Sequence, residues 1–170
     1  MEPAESLSAA LAALTFADLT IDETTGRIVD AVAQWGTGQG WRVYRRAPSV
    51  VTLPPPMDRQ HSVLDVACAR PDGPPLAIEV DHTNRRRTVD KLLAEARAGR
   101  VPIWVRWGTG GFSPPPAPVA MVTVEVTRRG KLNSRGHQRP APTHSPVLGG
   151  VAAGAPEEIT FPLDPPPEPG

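Results

Sequence analysis

Two apolar runs rich in β-branched residues, "SVLDVACA" (62–69) and "LAIEVDH" (76–82), are separated by "RPDGPP". A connection that short, built of Pro, Asp and Gly, reverses the chain, so the two runs are expected to pair as antiparallel neighbours. The next segment, 84–98, has helical apolar spacing, with Asn84 or Thr88 as candidate caps and Gly99 as a stop. It leads into "VPIWVRW" (101–107), which reads as another strand. A strand reached through a helical crossover joins the same sheet in parallel. The sheet must therefore be mixed. Upstream, the spacing of Ile28, Val29, Val32 and Trp35 predicts a helix over 23–35, capped by Thr20 or Asp22 and ended by Gly36, Gly38 and Gly40. "WRVYRRAPSVV" (41–51) predicts a strand interrupted at Pro48, and "VAMVTVEVTR" (119–128) a further one. The expected fold is α/β, a mixed central β-sheet flanked by helices with an α-β-β-β-α-β core.

Three regions are expected: a flexible segment over 1–19, one domain over 20–135, and a disordered Pro-rich tail over 136–170 with a short docking strand at 157–163 for a protein partner. Charge is spread unevenly along a chain of zero formal net charge. Residues 82–139 hold 12 Lys and Arg against three acids, while residues 1–26 and 140–170 hold acids and no Lys or Arg. A basic stretch between acidic ends suits a nucleic-acid partner. The single cysteine, Cys68, excludes an intrachain disulfide and a cysteine-based zinc site, and it reads as a core residue. The apolar residues at 7–16 lack a basic leader and are too few to span a membrane, so a soluble cytoplasmic protein is expected.

The apolar strands carry carboxylates. Alternation puts Glu79 and Asp81 on one face of their strand and Ile78 and Val80 on the other. Pairing through "RPDGPP" brings Asp65 near Glu79. Buried acids are costly unless partnered. Three converging carboxylates offer the oxygen ligands that Mg²⁺ or Mn²⁺ takes.

The acid in "LDVA", the turn and the acid in "AIEVD", with 13 residues between Asp65 and Glu79, occur within helix–three strands–helix–strand order. This resembles the PD-(D/E)XK nuclease superfamily, and the resemblance covers roughly residues 23–107. It implies a restriction-endonuclease-like fold and metal-dependent cleavage of DNA, with Asp65, Glu79 and Asp81 as catalytic and metal-binding residues. The position that is usually Lys in the family is Asp81 here, and an Asp supplies no cation. Lys91 is the nearest lysine. The helical face formed by Val89, Leu92, Leu93 and Ala96 puts it on the opposite side, paired in solvent with Glu95, so it reads as a weak substitute. Arg85, Arg86 and Arg87 are positioned to contact nucleic-acid phosphate. Glu23 matches an accessory acid position of several members. His82 joins the site if the strand ends at Asp81. Trp104 and Trp107 read as packing residues.

Three functions compete on these grounds: a metal-dependent nuclease, a catalytically inactive nuclease-like module that binds nucleic acid or protein, and an interaction protein that docks through its tail. Oligomeric state is not written in the sequence.

Overall fold

The computed structural model describes residues 1–136. The Pro-rich tail from 137 onward, with the docking strand expected at 157–163, lies outside the described residues. The described chain runs α1 (Pro3–Ala12), β1 (Phe16–Leu19), α2 (Ile21–Gly38), β2 (Arg42–Thr52), β3 (His61–Ala69), β4 (Leu76–Asp81), α3 (Arg86–Arg97), β5 (Val101–Gly108), β6 (Ala120–Glu125), β7 (Thr127–Arg129) and β8 (Leu132–Arg135). The five-stranded sheet has the order β2-β3-β4-β5-β6, and a three-stranded sheet has the order β1-β8-β7. β2, β3 and β4 form an antiparallel meander, while β5 and β6 add in parallel. The fold is thus α/β with a mixed central sheet, in the element order expected from α2 to β5.

Local chemistry explains most boundaries. Thr20 caps α2 through a capping box: its side chain accepts from Glu23 N, and Glu23 Oε1 accepts from Thr20 N. The helix runs past Gly36, expected as part of its stop. A Cβ at Gly36 would meet Val43 Cγ2 at 2.8 Å and Cys68 Sγ at 3.0 Å, so this glycine lets α2 lie close on the sheet. Gly99, with φ +89°, ends α3 as expected. Neither Asn84 nor Thr88 caps α3; the N-cap position is Arg85, without a side-chain bond. Asn84 is occupied elsewhere, accepting from Arg106 Nε at 2.9 Å and donating to Gly111 O.

Residues 1–19, expected to be flexible, form α1 and β1 instead. Leu7 and Leu11 lie one turn apart and are fully buried beside Ile28, Val32 and Trp35, with Phe16. The run at 119–128 divides in two. After Glu125 the strand β5 offers no further partner, Val126 N donates to Gly108 O, and the chain leaves to pair with β8.

One core lies between the sheet and α1 and α2, built on Ile28, Val32, Ile78, Val80, Ile103 and Trp107. A smaller one lies under α3, with Leu64, Ala77, Leu92, Trp104 and Val119. The β2–β3 ribbon changes faces in between. Arg45 pairs with Asp30 of α2, whereas Ser49, four residues on, donates to Glu95 of α3. Val66 and Cys68 belong to the α2-side core and Leu64 to the α3-side one. A regular strand would keep each of these sets on one face. The switch falls at Arg46, which has φ +51° and is bracketed by the pairs Arg45–Val66 and Ala47–Leu64, so it sits opposite Asp65. Beyond this point the ribbon rolls over α3 and parts from β4.

Candidate functional site

The β3–β4 ladder stops at the pair Val66–Ile78. The next facing residues are Asp65 and Glu79, where side chains replace backbone pairing. Asp65 N donates to Glu79 Oε2 at 2.9 Å, and Val80 N donates to Asp65 Oδ2 at 2.8 Å. Each carboxylate thus satisfies a backbone N–H of the opposite strand and props the two strands apart. Buried N–H groups require such partners, so the fork is stable only with acceptors at both positions.

A cleft of about 1140 Å³ opens from this fork. Its floor is Asp65, Glu79, Val80 and Asp81. Val51, Thr52, Pro54 and Ser62 of the rolled ribbon form one wall, and Ile21, Asp22 and Thr25 at the start of α2 form another, with His82. α3 and the turn before it supply Arg85, Arg86, Arg87, Thr88, Asp90, Lys91, Ala94 and Arg97. Cationic and acidic side chains in the lining balance, five of each.

Lys91 requires a correction. It does not face solvent with Glu95. Its Nζ donates to Glu79 Oε1 at 2.9 Å and to Val63 O at 2.7 Å, and its side chain is 15% exposed. The inward stripe of α3 is Thr88–Lys91–Leu92–Glu95, one step around the helix from the apolar stripe Val89–Leu93–Ala96. Polar partners decide that rotation. Glu95, 1% exposed, accepts from Ser49 Oγ at 2.6 Å, Val50 N at 2.7 Å and Arg100 Nη1 at 3.1 Å, while Lys91 pairs with Glu79 of the fork. Buried groups that must be satisfied outrank partly buried Val89 and Leu93. A signal was present in the composition: the chain has 16 Arg and only two Lys, so a lysine next to a site is informative.

Burial, with the neighbouring Asp65 carboxylate, pushes Glu79 up to about 7 against the opposing effect of Lys91. Burial likewise raises Asp65, opposed by the Val80 N–H. Two adjacent carboxylates with one ammonium form a site short of positive charge. Their hard oxygens and this charge deficit fit a divalent cation such as Mg²⁺ or Mn²⁺, which takes few protein ligands and completes its shell with water or phosphate.

Asp81 lines the same cleft but is engaged apart from the pair. Its Oδ2 accepts from Trp104 Nε1 at 3.0 Å, and its Oδ1 lies 3.9 Å from Arg85 Nε. Among the described residues, no three His, Cys, Asp or Glu side chains are grouped as a ligand set; the fork offers two carboxylates rather than three. Glu23 is held in its capping box and is not among the cleft residues, whereas its neighbour Asp22 is. β4 ends at Asp81, and the His82 ring packs on Trp107, centroids 5.5 Å apart, on the face away from Glu79 but at the cleft wall. Arg85, Arg86 and Arg87 stand at the rim, with Arg86 paired loosely to Asp90. Trp104 and Trp107 are buried packing residues. The hydrogen bond from Trp104 Nε1 to Asp81 and the left-handed Arg46 had no counterpart in the sequence pattern.

No helix of the described residues is long and apolar enough to cross a membrane. Comparison of the chain with protein-family models, with curated proteins and with solved structures gives no significant match.

Proposed function

We propose that this chain is a metal-dependent nuclease that hydrolyses phosphodiester bonds in DNA at the fork between β3 and β4. The observation that carries the reading is the ion pair between Lys91 and Glu79 at 2.9 Å, beside Asp65. It restores from α3 the cation that the sequence lacks after Glu79, and so supports the PD-(D/E)XK resemblance and its restriction-endonuclease-like core. Asp65 and Glu79 would hold Mg²⁺ or Mn²⁺, which when bound supplies Lewis-acid charge and an acidified water.

The chain's own groups then divide the work. An ammonium has three donors, and Lys91 spends two on Glu79 and Val63 O, leaving one for the cleft. That donor orients the attacking water or offsets charge building on the phosphoryl oxygens. Arg85, Arg86 and Arg87 at the rim bind backbone phosphate. Asp81, fixed by Trp104, orients Arg85 across 3.9 Å.

The test is cleavage of single- and double-stranded DNA with Mg²⁺ or Mn²⁺ by the wild type, Asp65→Asn and Glu79→Gln. Metal-dependent cutting lost in both variants is the expected result. No cutting by folded wild type on either substrate overturns the reading in favour of a catalytically inactive module that binds nucleic acid or protein.

A further inference from the structure

Five of the 12 cations of residues 82–139 line the cleft, where five acids balance them. Three more lie exposed on the hairpin formed by β7 and β8. Arg128, Arg129 and Lys131 are exposed there, and among the described residues they form no ion pair. Arg128 Nε is held by Asn133 Oδ1 at 3.4 Å, and the fully buried Asn133 donates to Leu19 O, so the hairpin is anchored rather than loose.

Two independent strand registers put this hairpin toward the same end of the strands as the cleft floor, outside the cleft lining. In the five-stranded sheet, Asp81 is level with Arg106 and Arg106 with Thr123, so β6 ends at the same sheet edge as the cleft floor. Two strand spacings separate Asp81 from Thr123, about 10 Å, and the chain enters β7 four residues later. In the small sheet, Leu19 pairs with Asn133 and Asn133 with Arg128. The turn at Gly130 and Lys131 therefore projects beyond Leu19, in the direction of Ile21 and Asp22, which line the cleft wall.

We infer that the β7–β8 hairpin is a second phosphate-binding surface, which holds the backbone of a nucleic acid on the α2 side while Arg85–Arg87 hold it on the α3 side. This rests on the nuclease reading for what lies between the two contacts, but its charge argument is separate. A cleft with equal numbers of acids and bases gives a polyanion little net attraction, so binding draws on cations outside it as well as on Arg85–Arg87 at its rim. Arginines and a lysine on a short anchored ribbon, with no side-chain carboxylate between Thr127 and Arg135, meet that need.

The experiment is a fluorescence-anisotropy titration of a labelled DNA duplex with the full chain in EDTA, over a series of salt concentrations. It compares the wild type with Arg128→Ser/Arg129→Ser/Lys131→Ser and with Lys131→Ala alone, after circular dichroism has shown that each is folded. Each phosphate contact contributes about 0.9 to the slope of log K against log salt. The triple variant is expected to bind at least about tenfold more weakly, with a slope shallower by about two to three, and Lys131→Ala to lose about one. Unchanged affinity and slope in the triple variant, no duplex binding by the wild type, or a poly-glutamate peptide that competes as well as DNA of equal charge would each overturn the inference. Hairpin-dependent binding without Mg²⁺-dependent cutting would sustain this surface and sink the nuclease reading. Cutting with hairpin-independent affinity would do the reverse.

Discussion

Lys91 Nζ and Glu79 Oε1 lie 2.9 Å apart, joining the middle of α3 to the strand fork. The lysine also binds Val63 O on the far side of the fork, so one ammonium ties both strands to the helix. Replacing Lys91 by Met removes the donor while keeping the chain length. Cleavage is expected to fall about 10²- to 10³-fold, with Mg²⁺ binding retained. Single-turnover kinetics beside a metal titration reads both; loss of metal binding together with activity would make Lys91 a structural residue only.

Glu79 makes stability depend on pH in a direction unusual for a carboxylate. Its folded value is about 7 against an ordinary 4.5, because of burial first and Asp65 second. Between these values the folded state binds the proton more tightly than the unfolded chain does. Stability is therefore fully present below about 4.5 and lost as pH rises through 7, by on the order of 3 kcal/mol. Urea melts at pH 5 and pH 8 of the wild type and Glu79→Gln check this: the variant should gain relative to the wild type at the higher pH. An equal difference at both pH values would contradict it.

Divalent metal should relieve that same penalty. Mg²⁺ or Mn²⁺ at a hundredfold above its dissociation constant stabilises a folded state that alone binds it by about 2.7 kcal/mol. A rise in melting temperature with metal at pH 8, absent in Asp65→Asn, is the expected outcome. A rise of the same size in the variant would place the metal elsewhere.

Arg46 holds a left-handed backbone in the middle of β2, where the ribbon changes faces. A side chain there costs about 1–2 kcal/mol that glycine avoids. Arg46→Gly is expected to stabilise the fold by about 1 kcal/mol, whereas Arg46→Ala leaves the strain in place. Chemical denaturation that shows glycine no better than alanine would refute the strain.

Glu95 is expected to be the costliest single carboxylate to lose. Its removal strips partners from Ser49 Oγ, Val50 N and Arg100 at once. Glu95→Ala should destabilise by about 3–5 kcal/mol; a loss below 1 kcal/mol, read in the same denaturation experiment, would show that water replaces it.

What the sequence determined by itself is the order of elements from α2 to β5 and the meeting of Asp65 with Glu79. Both follow from local chemistry: "RPDGPP" reverses the chain, a helix forces a parallel crossover, and alternation orients side chains over a few residues. Thr20 and Gly99 were legible for the same reason. What only the tertiary structure decided is which face α3 turns inward, where Asp81 binds, and that residues 1–19 complete a core. The apolar stripe of α3 misleads because its rotation answers to distant groups, namely the fork 12 residues away and the ribbon some 45 residues away. Burial makes those polar partners worth more than two partly exposed aliphatic side chains, and no local pattern records who the partners are.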